Sequence, residues 1–279
     1  MAGSATTHLS RRSFAQQTSA SDLMSAPIEL AGDWGRMSPR AVKLVVGRMR
    51  QACLDGVRLV SDRQPRRIRV ELHNSGSPAI WLHPEESDLA WIIVNIGERD
   101  WSKLAYQFGH ELGHVMANSW QVDAKPGGPS QWLEETMAEA LSLYGLGRLA
   151  TRWRVSPPFA GDNRFGDALA SYREDTIRRY ETLAEQQGVT QGAASWFANH
   201  RRDIEAGGVD PYGQAFSLTI LAEYERAAEN IEALGALNRW SQRANIQIKE
   251  YLSLWEKSCA DLQVSSALPT RLRELVLSP

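Results

Sequence analysis

The sequence predicts an α+β fold: a small mixed β-sheet packed on one chemically unusual helix, followed by a mostly α-helical C-terminal half. Three observations carry this. Strand-like stretches alternate with a helical one before residue 100, apolar spacing turns helical after it, and no convincing strand follows.

The elements follow in order. Residues 1–30 read as a disordered tail rich in Ser, Thr and Ala. Within it S-R-R-S-F-A-Q (10–16) is similar to a twin-arginine export signal. The polar Q-Q-T-S-A-S-D-L-M-S-A-P that follows lacks the apolar stretch such a signal needs, so the expected location is cytoplasmic. From Ser38, S-P-R-A-V-K-L-V-V-G-R-M-R-Q-A-C-L has a capping Ser, Pro just inside, and Val42, Val45, Val46, Met49 and Cys53 at helical spacing. R-R-I-R-V-E-L-H (66–73) alternates Ile68, Val70 and Leu72 against charged residues, a strand with one buried face. N-S-G-S-P (74–78) is a turn, A-I-W-L-H (79–83) a short strand, and W-I-I-V-N-I (91–96) a buried central one. Helices are expected at 101–117, 132–147, 167–187, 193–205, 212–225, 228–237, 243–258 and 269–277. A K-P-G-G-P-S linker (125–130) and a Pro/Gly/Asp loop (155–167) separate some of them. Gly127-Gly128 and Gly207-Gly208 read as helix punctuation, since no lysine or strand–loop–helix context makes them phosphate loops. The organisation expected is the tail, an α+β half over 31–155, and a helical half over 156–279 that completes a cleft.

Composition narrows the function. The chain has 279 residues, 43% hydrophobic and 23% charged, enough to bury a sizeable core. A formal net charge of −2 gives no footprint for nucleic acid or anionic membrane. No window approaches the run of about 18 apolar residues that spans a bilayer. Cys53 and Cys259 stand far apart, outside any metal-ligand spacing, and are expected to be buried reduced thiols. Ten tryptophans are expected to fill core and interface.

The chemistry concentrates in Q-F-G-H-E-L-G-H-V-M (107–116). On a helix His110 and His114 lie about 40° apart on one face, one turn above the other, where two imidazoles can bind one tetrahedral zinc. Glu111 points about 100° away, beside the metal, where a general base for water belongs. Leu104, Phe108, Leu112, Val115 and Met116 form the core face. Gly109 and Gly113 share a further strip; each costs about 1 kcal/mol relative to alanine, which implies close approach of another backbone. A third ligand is needed, and Q-W-L-E-E-T-M-A-E-A-L-S-L-Y-G-L (131–146) offers Glu135 and Glu139 on one face of an otherwise apolar helix. Glu135 is the expected metal ligand, with Glu134 the alternative or a partner of the helix dipole. Glu139 is expected to accept a hydrogen bond from a ligand histidine.

H-E-L-G-H followed by W-L-E-E-T-M-A-E resembles the gluzincin metallopeptidases, the thermolysin-like and peptidase-MA-like group, over about residues 66–147. The resemblance implies a Zn2+ peptidase with His110, His114 and Glu135 as ligands and Glu111 as catalytic base. It also implies that an edge strand, 79–83 or 91–96, pairs with an extended peptide or protein substrate. Y-G-Q-A-F-S-L-T-I-L (212–221) is similar to a helix that carries an oxyanion-stabilising tyrosine in that group, which puts Tyr212 forward; a tyrosine anchoring a helix start beside Pro211 is the other reading. Thr136 departs from the glycine usual after the third ligand, and no G-x-M-E-N-like segment is present. Both favour an endopeptidase or oligopeptidase over an aminopeptidase.

His200 is a second oxyanion candidate, against a solvated helical residue. His73 and His83 are expected to be exposed strand-end histidines. Two other classes compete: an ImmA-like regulatory metalloprotein acting on one protein partner, and a non-catalytic zinc-binding protein. A degenerate fold without metal is a further reading, and the presence of Glu111 counts against it, since a purely structural site has no need of that residue.

Overall fold

The alternating and continuous apolar runs fold into four strands in the computed structural model: β1 (Ile28–Gly32), β2 (Arg67–Leu72), β3 (Ala79–Ile80) and β4 (Leu89–Val94). The described residues are 22–124 and 127–278; the twin-arginine-like stretch and Lys125-Pro126 of the linker lie outside them. The sheet order is β1-β2-β4-β3, with β1, β2 and β4 mutually parallel and β3 antiparallel to β4. Ile68 and Val70 of β2 are fully buried while Arg67, Arg69 and Glu71 are half-exposed, as the alternation requires. Leu89, Ala90, Ile92 and Val94 make β4 the buried interior strand.

Two strand expectations need correction. β1 begins inside the stretch assigned to the tail. Its I-E-L-A-G is too short for alternation to stand out, and it is fixed by pairing with a distant strand, from Ile28↔Ile68 to Gly32↔Leu72. β3 is also shorter than the expected 79–83. Trp81 still donates its N–H to Trp91 O (2.8 Å), but Pro84 has no N–H with which to continue a ladder.

The helices are α1 (Pro39–Leu54), α2 (Trp101–Met116), α3 (Ser130–Val155), α4 (Asn163–Gln187), α5 (Ala193–Glu205), α6 (Tyr212–Arg226), α7 (Ile248–Leu262) and α8 (Ala267–Leu277). α1 buries Val42, Val45, Val46, Met49 and Cys53, the stripe its spacing indicated. α3 is the axis of the molecule. At 26 residues it outruns the expected 132–147, and α1, α2, α4 and α6 all pack on it. That surround is why its sequence is apolar on nearly every side. Residues 228–236 form a 3-10 segment where an α-helix was expected. α7 starts later than the expected 243, because Ala244 forms a bridge to Pro129 and Asn245 is left-handed (φ 60°).

One apolar cluster runs from Leu23 to Val276 through both halves of the chain. Tryptophans fill it: Trp132 packs on Phe197 and Phe216, and Trp196 stacks on Phe216 at 5.2 Å. Cys53 and Cys259 are free and buried, and burial pushes the Cys53 thiol up to about 12. No helix among the described residues is long and apolar enough to cross a membrane.

Candidate metal centre

Glycine decides how closely the two motif helices meet. A Cβ on Gly113 would lie 2.7 Å from Ala138 Cα, and one on Gly109 would lie 3.3 Å from Ser142 Cα. The glycine strip of α2 is therefore where α3 docks, and the docking brings the carboxylates of α3 across from the histidines of α2.

His110 and His114 present their Nε2 atoms to the same point, 3.2 Å apart. Glu135 reaches both: Oε2 lies 3.2 Å from His110 Nε2 and Oε1 lies 3.5 Å from His114 Nε2. One atom from each of His110, His114 and Glu135 fits within a 4.8 Å span, so the three could together hold a metal ion. Two neutral imidazoles and a carboxylate form a donor set suited to a divalent metal, and three ligands leave a coordination position open. The rear nitrogens of the rings support that fit. Each faces a further carboxylate, Glu134 for His114 (2.7 Å) and Glu139 for His110 (3.6 Å); a hydrogen bond such as that to His114 orients a ligand imidazole and raises its basicity. Glu134, the alternative ligand, therefore stands behind His114 and away from the shared point.

The backing of Glu134 comes from three places. α2 ends at Met116, Asn118 adopts a left-handed conformation (φ 60°), and the turn delivers Ser119 Oγ to Glu134 Oε2 at 2.7 Å. Asn238, beyond the 3-10 segment, donates Nδ2 to the same oxygen at 2.7 Å and accepts from Tyr251 O–H at 2.5 Å. Arg243 Nη1 donates to Ser119 Oγ at 2.9 Å. Behind His110, Glu139 accepts from the Tyr106 hydroxyl, which lies 2.7 Å from the Tyr180 hydroxyl.

Burial alone would depress both imidazoles. The carboxylates overcome it: Glu139 and Glu135 hold His110 up at about 10, and Glu135 and Glu134 hold His114 well above the ordinary histidine value. Burial would raise Glu135, but His114 and His110 hold it well below the carboxylate range. Glu111 behaves differently. It is 2% exposed, and burial pushes its carboxyl up against the lowering pull of His110 and His114. It accepts no hydrogen bond from a described residue, although it lines the cleft.

The cleft has a volume of about 520 Å³ and is floored by His110, Glu111, His114 and Glu135. Ala79, Ile80 and Leu82 form one wall, and Asp210, Gln214 and Arg243 contribute from the helical half. Of the two strand candidates for substrate pairing, 91–96 falls mostly on β4, which is hydrogen-bonded on both sides; β3 alone keeps an open edge beside the cleft.

Three expectations differ from what is found, those for Glu139, Tyr212 and His83: Glu139 stops 3.6 Å from His110 Nδ1, which has no hydrogen-bond partner. The Tyr212 hydroxyl donates to Asp203 Oδ2 at 3.2 Å, and Tyr212 is absent from the residues lining the cleft. It anchors the start of α6, while Gly213, one residue on, faces Glu135 across the site. His200 packs its ring on Tyr212 (4.9 Å) and Trp196 (5.8 Å), also outside the cleft. His83 is buried, 6% exposed, because its ring sits edge-on to Trp91 at 5.3 Å with Glu85 3.4 Å away. His73 is half-exposed beside Glu71 (3.2 Å).

Sequence reasoning missed Tyr106, Tyr180, Asn238 and Arg243. Tyr106 was detectable, four residues before His110 on the same helix strip. The others reach the site from distant elements and carry no local signal. Compared with known proteins, the chain matches no family model, no curated protein and no solved structure.

Proposed function

We propose that the chain is a zinc-dependent peptidase of gluzincin type, hydrolysing peptide bonds with Glu111 as general base. The observation that carries this is Glu111 itself: a buried carboxylate with no protein hydrogen-bond partner among the described residues, beside a His/His/Glu ligand set in an open cleft. A purely structural metal site has no use for such a group, and it lines the cleft, where water can reach it. Its raised pKa moves it toward the range where a carboxylate exchanges protons efficiently near neutral pH.

His110, His114 and Glu135 would hold the zinc. When bound, it supplies Lewis acidity, polarising a scissile carbonyl and acidifying water. Glu111 then accepts the proton of the attacking water and returns it to the leaving amine. Glu134 hydrogen-bonds the His114 ring and holds its orientation, while Glu139 places a carboxylate charge behind the His110 ring. The open edge of β3 offers main-chain pairing to an extended peptide, and the apolar wall of Ala79, Ile80 and Leu82 lies beside it.

The test pairs metal analysis with proteolysis of a peptide library, on wild type and Glu111→Gln. Wild type is expected to hold one zinc per chain and to cleave. E111Q should keep the zinc and lose about 10²- to 10⁴-fold in kcat. Wild type without stoichiometric zinc sinks the reading. Zinc in both proteins with cleavage by neither would instead favour the regulatory metalloprotein.

A further inference from the structure

Arg243 has no part in the hydrolytic chemistry above, and its setting is unusual. It is 8% exposed, and its one hydrogen bond is from Nη1 to Ser119 Oγ at 2.9 Å. Among the described residues no carboxylate lies within ion-pair distance of it, whereas Glu134, Glu135 and Glu139 of the cleft are already engaged. Glu134 is held by His114, Ser119 and Asn238, and Glu135 and Glu139 lie against the histidines. Arg243 is also the one Arg or Lys among the described residues lining the cleft. A buried guanidinium is unfavourable unless an anion meets it. Within the described chain no carboxylate meets the guanidinium directly; Glu134 stands behind the bridging Ser119.

The residue is also held in place. Ala244 next to it pairs with Pro129 in an isolated bridge, and the Asn245 N–H donates to Gly128 O at 2.7 Å. A Cβ on Gly127 would lie 2.6 Å from the Ala244 Cβ, so the two segments sit in tight contact. The Arg243 loop is thereby fastened to the start of α3, the helix that carries Glu135. Through Ser119 and Glu134 the guanidinium stands three hydrogen bonds from the ligand His114.

We propose that Arg243 is a substrate-recognition residue that binds a carboxylate of the peptide in the cleft. The fork of N–H donors on a guanidinium matches a carboxylate in two parallel hydrogen bonds, and the low exposure of the site strengthens them. The inference rests on the peptidase reading and adds a substrate class to it: peptides carrying an acidic group at a fixed distance from the scissile bond. The carboxylate is either the peptide's own C-terminus or an Asp or Glu side chain.

The test uses N-acetylated peptides in matched sets: free-acid or amidated at the C-terminus, and with Glu or Gln at each internal position. Turnover is followed with wild type, Arg243→Gln and Arg243→Lys. Binding is followed by calorimetry on E111Q and on E111Q/R243Q. R243Q is expected to raise KM for carboxylate peptides by at least about 30-fold more than for their neutral counterparts, the ratio cancelling any shared effect through Ser119 and Glu134. R243K, with the charge but without the fork, should recover part of the loss. A free-acid preference identifies the C-terminus as the source, and a Glu preference identifies the side chain. If neutral and acidic peptides are cleaved alike and R243Q changes neither, the inference is overturned and the peptidase reading stands. If acidic peptides bind E111Q in an Arg243-dependent way but wild type cleaves none of them, recognition stands and the peptidase reading falls. Should R243Q fail to fold, the same comparison on R243K decides: an unchanged preference for acidic peptides with undiminished affinity for them overturns the proposal.

Discussion

His110 and His114, the two candidate metal ligands of α2, occupy equivalent positions one turn apart, yet their surroundings are unequal. His114 Nδ1 lies 2.7 Å from Glu134, whose far oxygen is held by Ser119 and Asn238. His110 Nδ1 lies 3.6 Å from Glu139, beyond hydrogen-bond reach, and that nitrogen is buried with no hydrogen-bond partner. Glu139 spends its other oxygen on Tyr106. The His114 side is a closed network drawing on three separate segments. The His110 side is a tyrosine–carboxylate pair that stops short of the ring. The His114 ring is therefore hydrogen-bonded at its rear nitrogen, and the His110 ring is not.

Glu134→Ala and Glu139→Ala break this comparison most directly. Loss of a carboxylate behind a ligand histidine lowers metal affinity by about 10- to 100-fold. E134A is expected toward the upper end of that range and E139A toward the lower end. E134A also removes the acceptor of the half-buried Ser119 Oγ and one of three acceptors of Asn238 Nδ2, which costs about 1 kcal/mol of stability. Competition against a chromophoric chelator measures the first effect and chemical denaturation the second. Equal losses, or a larger one for E139A, would show that the two sides work alike.

A smaller effect follows from the charge on the rings. In the metal-free protein the carboxylates hold His110 up at about 10, above the ordinary value of about 6.5. Its protonation therefore stabilises the metal-free fold fully below pH 6.5 or so, and that contribution is lost as pH rises toward 10. His114 shifts in the same direction. Metal and protons compete for the same nitrogens, so metal affinity should climb over the window in which the metal-free protein weakens. Melting temperatures of chelator-treated protein from pH 6.5 to 10 should fall, and zinc-loaded protein should fall less. Parallel curves for the two forms would remove the rings as the origin.

The contrast also marks what a sequence can disclose. His110, Glu111, His114 and Glu135 were legible because helical periodicity alone sets their angles, and each pair comes from one helix. The two glycines were legible because an unfavourable residue repeated at helical spacing implies a neighbour. β4 announced itself by a continuous apolar run. β1 did not, since five residues next to a polar tail acquire meaning only through pairing with β2. Asn238, Tyr251 and Arg243 were invisible for the same reason. Asn238 and Arg243 reach the site through the loop beyond the 3-10 segment and Tyr251 from α7, and nothing local in N-R-W-S-Q-R-A-N says that a buried guanidinium will line the cleft.

Tyr212 sharpens the comparison from the opposite side, because here position in sequence pointed to the cleft and local geometry turned the residue away. Its hydroxyl donates to Asp203, and its ring packs on His200 and Trp196 at the outer surface of α5 and α6. An oxyanion donor contributes about 10²- to 10³-fold in kcat, because it is aimed at charge that develops only in the transition state. An exposed anchoring hydroxyl contributes a fraction of a kcal/mol to stability and nothing to the reaction. Tyr212→Phe should therefore leave kcat within about twofold of wild type and lower the melting temperature only slightly, as expected for one exposed hydrogen bond. A hundredfold drop in kcat with KM unchanged would mean that α6 turns its first residue inward when substrate binds. The donor would then be supplied by a rearrangement of the helical half, and the apparent rigidity of the His114 side would have a mobile counterpart across the cleft.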